Sequence, residues 1–519
     1  MTAPERTGAA GADRSAWLPT FILVPAFLLL GSLLRLYDFW KPDLWIDEYG
    51  TWWAVAEGDW GEVIRRVLHI HGQSPLYYFI VKLFTDLLGP SPFSLRLPSI
   101  LFGIGMLALA YPLGHTIFHD RHAALLALAA FSVKDNIIWY SQDARPYALA
   151  LLLTMLSFLC YLGLLRRERT SLRIGYVLAT GAMFYAHYLF GFVLVIQILY
   201  LFFVRGWSWL RSRPWPGTFL ALTLFCLPGL VQLRRIFGRR ETLDWVDPPG
   251  DILAPLRFAL EMLDPLVFAS VTLTLLAVGM RAHEPPSGAD RTPLLLLWLL
   301  VPIGVFAVVP PLMGVRLLHI RYVLFVIPAA ILITVKMMGL AKRSGLREWA
   351  PLAVFLTLSF VANLFPLYQA RGVFSAHGRE GWKLAGNLLE KQAQPNDLIL
   401  YRSGFVEARQ IGTGSLDPVV VSWMNWPLTA NFPSVQKYQM LTLPYIWTQE
   451  SLPLMPTFLE EAGKHRRVWL VGLGEIIPKM AEAVLGNPAF HQKQFLKFGN
   501  VTVILLEQGS RPLPGLIFP

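Results

Sequence analysis

Three groups of side chains have the types and spacing to do chemistry. The first is the adjacent carboxylate pair Asp47 and Glu48, set among Trp45, Trp52, Trp53 and Trp60 just after the first long apolar run. Helix neighbours point about 100° apart, so at most one of the two can address a given reacting atom while the other braces it or binds elsewhere. The flanking tryptophans favour a segment held at a membrane interface. The second group is Lys134 and Asp135 with Asp143 and Arg145, the latter two in Trp139-Tyr140-Ser141-Gln142-Asp143-Ala144-Arg145-Pro146-Tyr147. Two residues apart, Asp143 and Arg145 cannot share a helix face, but in an irregular loop both can turn towards one cavity, and Pro146 suits the first turn of the helix that follows. The third group is Arg234, Arg235, Arg239 and Arg240. Arginine forks match phosphate oxygens two at a time, and a phosphate at a membrane surface is their natural partner. Plainer readings stand beside these: a solvated loop for Asp47-Glu48, a structural ion pair for Lys134-Asp135, and lipid headgroup contact for the arginines.

The elements that must position these groups follow from composition. The chain has 519 residues, 55% of them hydrophobic and 15% charged, with a mean hydropathy of +0.48. Soluble domains average about 25% charged, so this is a polytopic membrane protein. Residues 1–16 are polar, and Trp17–Leu36 is long enough to span a bilayer. Without a small-residue cleavage site after it, that run reads as a retained first helix and not as a signal peptide. Further spans are expected near 97–118, 122–140, 146–165, 173–187, 188–204, 216–236, 254–280, 293–312, 320–340 and 349–367, about eleven in all. Cys160 and Cys226 both lie in apolar runs and imply neither a disulfide framework nor a metal site. The net charge of +11 does not indicate nucleic acid, because Lys and Arg fall mostly in short loops between apolar segments.

Loop charge sets the orientation. Pro75–Leu88 is short and carries Lys82 and Asp86. If it lies in the external interface and does not span, the basic loops 115–122, 166–173, 205–213 and 341–347 all fall on the cytoplasmic side with the N-terminus. The external face then holds residues 37–96, the Tyr140–Arg145 loop, the His187-Tyr188 turn, the 232–251 loop and everything beyond about residue 368. From Arg371 onward the apolar runs shorten to strand length at Asp397–Tyr401, Pro418–Ser422, Arg467–Leu473 and Val501–Leu506, with helix-like stretches at Trp382–Gln392 and Ile477–Leu485. Residues 371–519 therefore read as an extracytoplasmic α/β domain. His69 and His71 join the charged groups on the external side.

Taken as an ordered set, these residues resemble bacterial membrane glycosyltransferases of the GT-C class, which includes protein O-mannosyltransferases and the lipid A aminoarabinose transferase. The features are Asp47-Glu48, His71 through Ser74-Pro75-Leu76-Tyr77-Tyr78, Arg96-Leu97-Pro98, Ser141-Gln142-Asp143-Ala144-Arg145-Pro146-Tyr147, His187-Tyr188 and, more weakly, Arg321-Tyr322. Their order and spacing agree over residues 40–200; beyond that only the general layout matches. The resemblance implies a GT-C fold over 17–370 as the catalytic domain. It implies an enzyme of the plasma membrane and cell envelope that takes a polyprenyl-phosphate-linked hexose or pentose and transfers it, with inversion, to a hydroxyl of a lipid, glycan or protein on the outer face. By motif position Asp47 looks like the base, Asp143 like a second acid of the site and Arg145 like a phosphate clamp. Glu48, His71, Tyr77, Tyr147, His187 and the four arginines fall to substrate binding. A phosphate leaving group is already a stabilised anion, so such an enzyme needs one base and several cations more than a general acid. The chain departs from the family at Gly72-Gln73-Ser74-Pro75, where relatives often carry a charged or doubled-proline motif; His69 and His71 either substitute there or dock the interfacial helix. Some relatives bind a divalent metal, but no ligand spacing here supports one, and no cofactor is expected. The opposing class is a transporter or flippase of lipid-linked sugars, which would place charges near the midplane on paired broken helices; a third reading is a non-catalytic relative that only binds the lipid-linked sugar.

Overall fold

A computed structural model describes residues 14–56, 58–71, 73–212, 214–237, 253, 255–258, 290–312, 317–342, 380–411, 417–447, 449 and 451–509. The chain divides into two units, residues 1–39, 64–89 and 93–367 in one and 40–63, 90–92 and 368–519 in the other. The expected spans at 254–280 and 349–367 lie outside the described residues, apart from 255–258.

The first unit is helical. In chain order its elements are α1 (Arg14–Leu36), then, after the second unit's α2 (Ile46–Ala56) and the junction helix α3 (Trp60–Arg65), α4 (Leu76–Leu88), α5 (Pro92–Phe118), α6 (Arg121–Val133), α7 (Asp135–Ser141), α8 (Tyr147–Arg166), α9 (Thr170–Ala186), α10 (Phe192–Arg205), α11 (Pro214–Phe237), α12 (Thr292–Leu312), α13 (Ile320–Val323) and α14 (Ile327–Lys342). Among the described residues, five helical stretches are long and apolar enough to cross a membrane, or six if α6 and α7 form one bent span. The expected single run over 122–140 is thus two helices, bent by 56° at Lys134.

The physical consequence of that break is a set of orphan carbonyls at the end of α6. Buried Arg35 of α1 meets two of them, donating from Nη2 to Phe131 O at 3.0 Å and from Nη1 to Ser132 O at 3.3 Å. The two helices come close enough for this because α1 carries Gly31, where an added Cβ would lie 3.1 Å from Ser132 Cα and 2.6 Å from Leu107 Cδ1. Ser132 returns the contact, its hydroxyl donating to Phe27 O at 3.0 Å. Small residues at a helix crossing and a cation satisfied by backbone carbonyls are how a charge is accommodated in an apolar bundle. Lys134 pairs with Asp135 at 3.3 Å, so the structural ion pair considered from the sequence is present.

A second polar knot ties α8, α9 and α10. Tyr161 donates to Gln197 O at 2.7 Å, Tyr176 to Gln197 Oε1 at 2.8 Å, and Gln197 Nε2 to Ser157 Oγ at 3.0 Å. All four side chains are buried, and their hydrogen bonds offset the cost of removing them from water.

The second unit holds a five-stranded sheet in the order β2-β1-β3-β5-β4, with β1 (Leu398–Arg402), β2 (Gln439–Thr442), β3 (Arg467–Leu473), β4 (Phe490–Phe498) and β5 (Val501–Gln508). β1 runs parallel to β2 and β3, while β5 is antiparallel to β3 and β4. One face of the sheet packs Leu398, Leu400, Val468, Leu470, Ile504 and Leu506 against two helices at Met455–Gly463 and Ile476–Leu485. The helix at Trp382–Gln392 is as expected. Pro418–Ser422, expected as a strand, instead opens a helix over Pro418–Thr429. Asp417 caps it, its carboxylate accepting from Val419 N at 2.9 Å, and Pro418 occupies the first helical position, a start signal that overrides the β preference of three valines.

If Arg35 satisfies the end of α6, Arg35→Met leaves buried carbonyls unmet and lowers stability by about 2–3 kcal/mol. A thermal unfolding midpoint in detergent equal to that of the parent protein would contradict this.

Candidate functional site

The loop between α7 and α8 is irregular, as expected, and is fastened at both edges. Gln142 Nε2 donates to the carbonyls of Leu34, Arg35 and Tyr37 at 3.1, 2.8 and 3.2 Å, covering the C-terminal end of α1. On the other side Ser99 Oγ of α5 donates to Arg145 O at 3.3 Å and shares a 2.8 Å hydrogen bond with Tyr77 OH of α4. Arg145 Nη1 donates to Tyr78 OH at 3.4 Å. The Ser74-Pro75-Leu76-Tyr77-Tyr78 motif and the Asp143-Arg145 motif, 65 positions or more apart in sequence, are therefore one constellation. Asp143 and Arg145 are both buried, at 1% and 6% exposure.

Tyr147, on the first turn of α8, packs its ring against His187 with centroids 5.4 Å apart. His187 is buried in the turn between α9 and the short helical turn Tyr188–Gly191. Its Nδ1 has no hydrogen-bond partner among the described residues. Burial first, then the Arg145 and Arg321 cations, lower its pKa to about 3, so the imidazole is neutral at physiological pH. Arg321 lies on α13, which packs on the 188–191 turn. It was not among the expected binding residues; only the weak Arg321-Tyr322 match, just before an apolar run, pointed to it. Two guanidinium groups around a neutral imidazole, with tyrosine hydroxyls beside them, make a site suited to an anion.

Asp47 and Glu48 belong to the second unit. They occupy the first turn of α2, where Glu48 is buried and its Oε2 accepts from Trp45 N at 3.3 Å. That is the back-reaching half of a capping box, so Glu48 braces the helix start. Asp47 is half-buried. Arg234 is exposed near the end of α11. The side chains of His71 and Arg235, and Arg239 and Arg240 altogether, lie outside the described residues. No cluster of three or more His, Cys, Asp or Glu that could hold a metal occurs among the described residues.

This architecture is the GT-C glycosyltransferase fold, with a small C-terminal sheet domain. Residues 72–231 match the family model described as dolichyl-phosphate-mannose-protein mannosyltransferase. Among solved structures, ArnT from Cupriavidus metallidurans in the apo state is similar, with a TM-score of 0.57 and 12% identity over 95% of this chain and 98% of that one. The same protein bound to undecaprenyl phosphate matches with a TM-score of 0.57 and 12% identity over 96% of this chain and 98% of that one. No curated protein sequence matches the chain.

His187 gives a pH signature. Its folded pKa lies below the ordinary 6.5, so the neutral form contributes stability that is present above about pH 6.5. As pH falls from there towards 3, the unfolded chain binds the proton first and about 1.4 kcal/mol is lost per pH unit. Melting temperatures taken from pH 7 down to pH 4 should fall less steeply for His187→Gln than for the parent; parallel curves would contradict the assignment.

Proposed function

We propose that this protein transfers a sugar from a polyprenyl-phosphate donor to an acceptor hydroxyl on the outer face of the plasma membrane, with inversion at the anomeric carbon. The observation that carries the reading is the cluster of buried Arg145, His187 and Tyr78 with half-buried Arg321 in a chain of GT-C fold. The family match and the likeness to a protein crystallised with undecaprenyl phosphate support a lipid-linked donor.

In this reading Asp47 takes the proton of the acceptor hydroxyl as its oxygen attacks the anomeric carbon on the side opposite the phosphate. The bond from that carbon to the phosphate oxygen breaks, and the electron pair leaves with the polyprenyl phosphate. Arg145 and half-buried Arg321 stabilise the charge that gathers there, and the burial of Arg145 lets it act where water screens it little. Neutral His187 is the polar group against which the leaving phosphate or the sugar is oriented, and Tyr147 fixes its ring. Asp143 supports the same loop as the second acid. Tyr77 acts by holding the Arg145 backbone through Ser99. Arg234 and Arg235, with Arg239 and Arg240, are assigned to the phosphate of the lipid-linked donor. His71 and Glu48 complete the donor and acceptor side.

Two substitutions separate base from clamp. Asp47→Asn should lower turnover by about 10²- to 10⁴-fold while donor binding stays within about twofold of the parent. Arg145→Gln should raise the donor concentration at half-maximal rate by about tenfold. Undiminished turnover in Asp47→Asn, or an unmoved donor requirement in Arg145→Gln, would overturn the respective role.

A further inference from the structure

Helix α2, which carries Asp47, is built into the C-terminal unit by a relay of polar groups centred on the buried Tyr49. The relay starts at Asp43, three residues before the helix. Its Oδ1 accepts from Leu44 N at 2.9 Å and from Tyr49 OH at 3.2 Å. Its Oδ2 accepts from Lys383 N at 2.9 Å, at the second position of the Trp382–Gln392 helix. That helix has no side-chain cap of its own: the cap position is Gly381, with φ +77°, where a Cβ would lie 2.3 Å from Phe498 O. Asp43 therefore supplies from a distant part of the chain the carboxylate that the helix start lacks.

The relay continues through Tyr49. Its hydroxyl accepts from Asn431 Nδ2 at 2.7 Å, and the same Nδ2 donates to Pro427 O at 2.9 Å near the end of the Pro418–Thr429 helix. Burial, and then the Asp43 carboxylate, push the Tyr49 phenol well above its ordinary pKa, so it stays protonated and donates to Asp43. One turn on, Trp53 Nε1 donates to Ser422 Oγ at 3.3 Å and its ring lies 6.2 Å from that of Trp423. Trp52 meets Trp426 edge-on at 5.9 Å. Tyr49 and Trp53, four apart, share one face of α2, and Asp47 lies about 200° around the helix from Tyr49. The face opposite the carboxylate is thus the one that is pinned.

We propose that the C-terminal α/β unit is a positioning device for the carboxylate of Asp47, with Asp43, Tyr49 and Asn431 as positioning residues. The inference rests on the assignment of Asp47 as the base under the proposed function. Its physical basis is that a base works only when held in line with the proton it removes, and a misplacement of about 1 Å can cost about 10²-fold in rate. None of the three residues need touch substrate.

The test uses full-length protein in detergent or vesicles, with whichever donor is accepted from a panel of polyprenyl-phosphate hexoses and pentoses. Tyr49→Phe removes one buried oxygen and cuts the relay in the middle; Asn431→Leu cuts it at the C-terminal unit. Each should lower kcat by about tenfold or more while the donor KM stays within about twofold, in protein that remains monodisperse. Tyr49→Phe keeps the ring and its packing, so it reads the relay even if Asn431→Leu folds poorly. A parental kcat in folded Tyr49→Phe, or kcat and KM shifting together, overturns the positioning role. Asp47→Asn is measured alongside: if it turns over normally, the base assignment fails; if it is inactive while Tyr49→Phe is unimpaired, only the positioning inference fails.

Discussion

A backbone that leaves a helix inside an apolar bundle must find new partners for its carbonyls, because no water is there to take them. In this protein the constraint falls on the end of α6, where the chain breaks at Lys134, and on the end of α1. Arg35 meets the first and Gln142 the second. These two side chains fasten the segment 134–145 to α1, and that fastening fixes where Asp143 and Arg145 stand. Gly31 permits it by letting α1 and α6 approach. The charged loop is thus a consequence of how two helix ends are closed.

The site shows the same economy of means. Tyr77, Ser99 and Arg145 form a short hydrogen-bonded chain that ties α4 and α5 to the 142–146 loop, and the rings of Tyr147 and His187 pack beside it. Burial first, then Arg145 and Arg321, keep His187 neutral, so two guanidinium groups stand beside an imidazole that is uncharged at neutral pH. Guanidinium groups beside a neutral imidazole suit a phosphate better than a proton relay.

Much of this was legible in the sequence. Apolar runs of spanning length marked α1, α5 and α8 to within a few residues, because burial in lipid demands unbroken hydrophobicity. The irregular loop at 142–146 and the helix start at Pro146-Tyr147 followed from local chemistry, as did the strands 398–402, 467–473 and 501–508, whose buried cores read as continuous apolar runs. The misses have physical causes. Pro418–Ser422 has the valines of a strand, but Asp417 and Pro418 cap a helix. Strand β4, His-Gln-Lys-Gln in its exposed part, carries little apolar signal; its clue was the two-residue turn Gly499-Asn500 between Phe498 and Val501. Lys134-Asp135-Asn136 interrupt the apolar run at the break, but apolar residues resume at Ile137, so the stretch reads as a single span. The attachment of α2 to the C-terminal unit depends on pairs such as Tyr49 with Asn431, more than 380 residues apart, and no local pattern announces it.

The central claim is that the chain moves a sugar from a lipid phosphate to an acceptor, and the most direct measurement follows both products. Purified protein in vesicles is given radiolabelled polyprenyl-phosphate sugars together with an envelope fraction as acceptor. The account predicts that label leaves the lipid and enters the acceptor, with one polyprenyl phosphate released for each sugar moved. Passage of the intact lipid-linked sugar across the bilayer, with no polyprenyl phosphate released, would contradict it and mark the protein as a carrier.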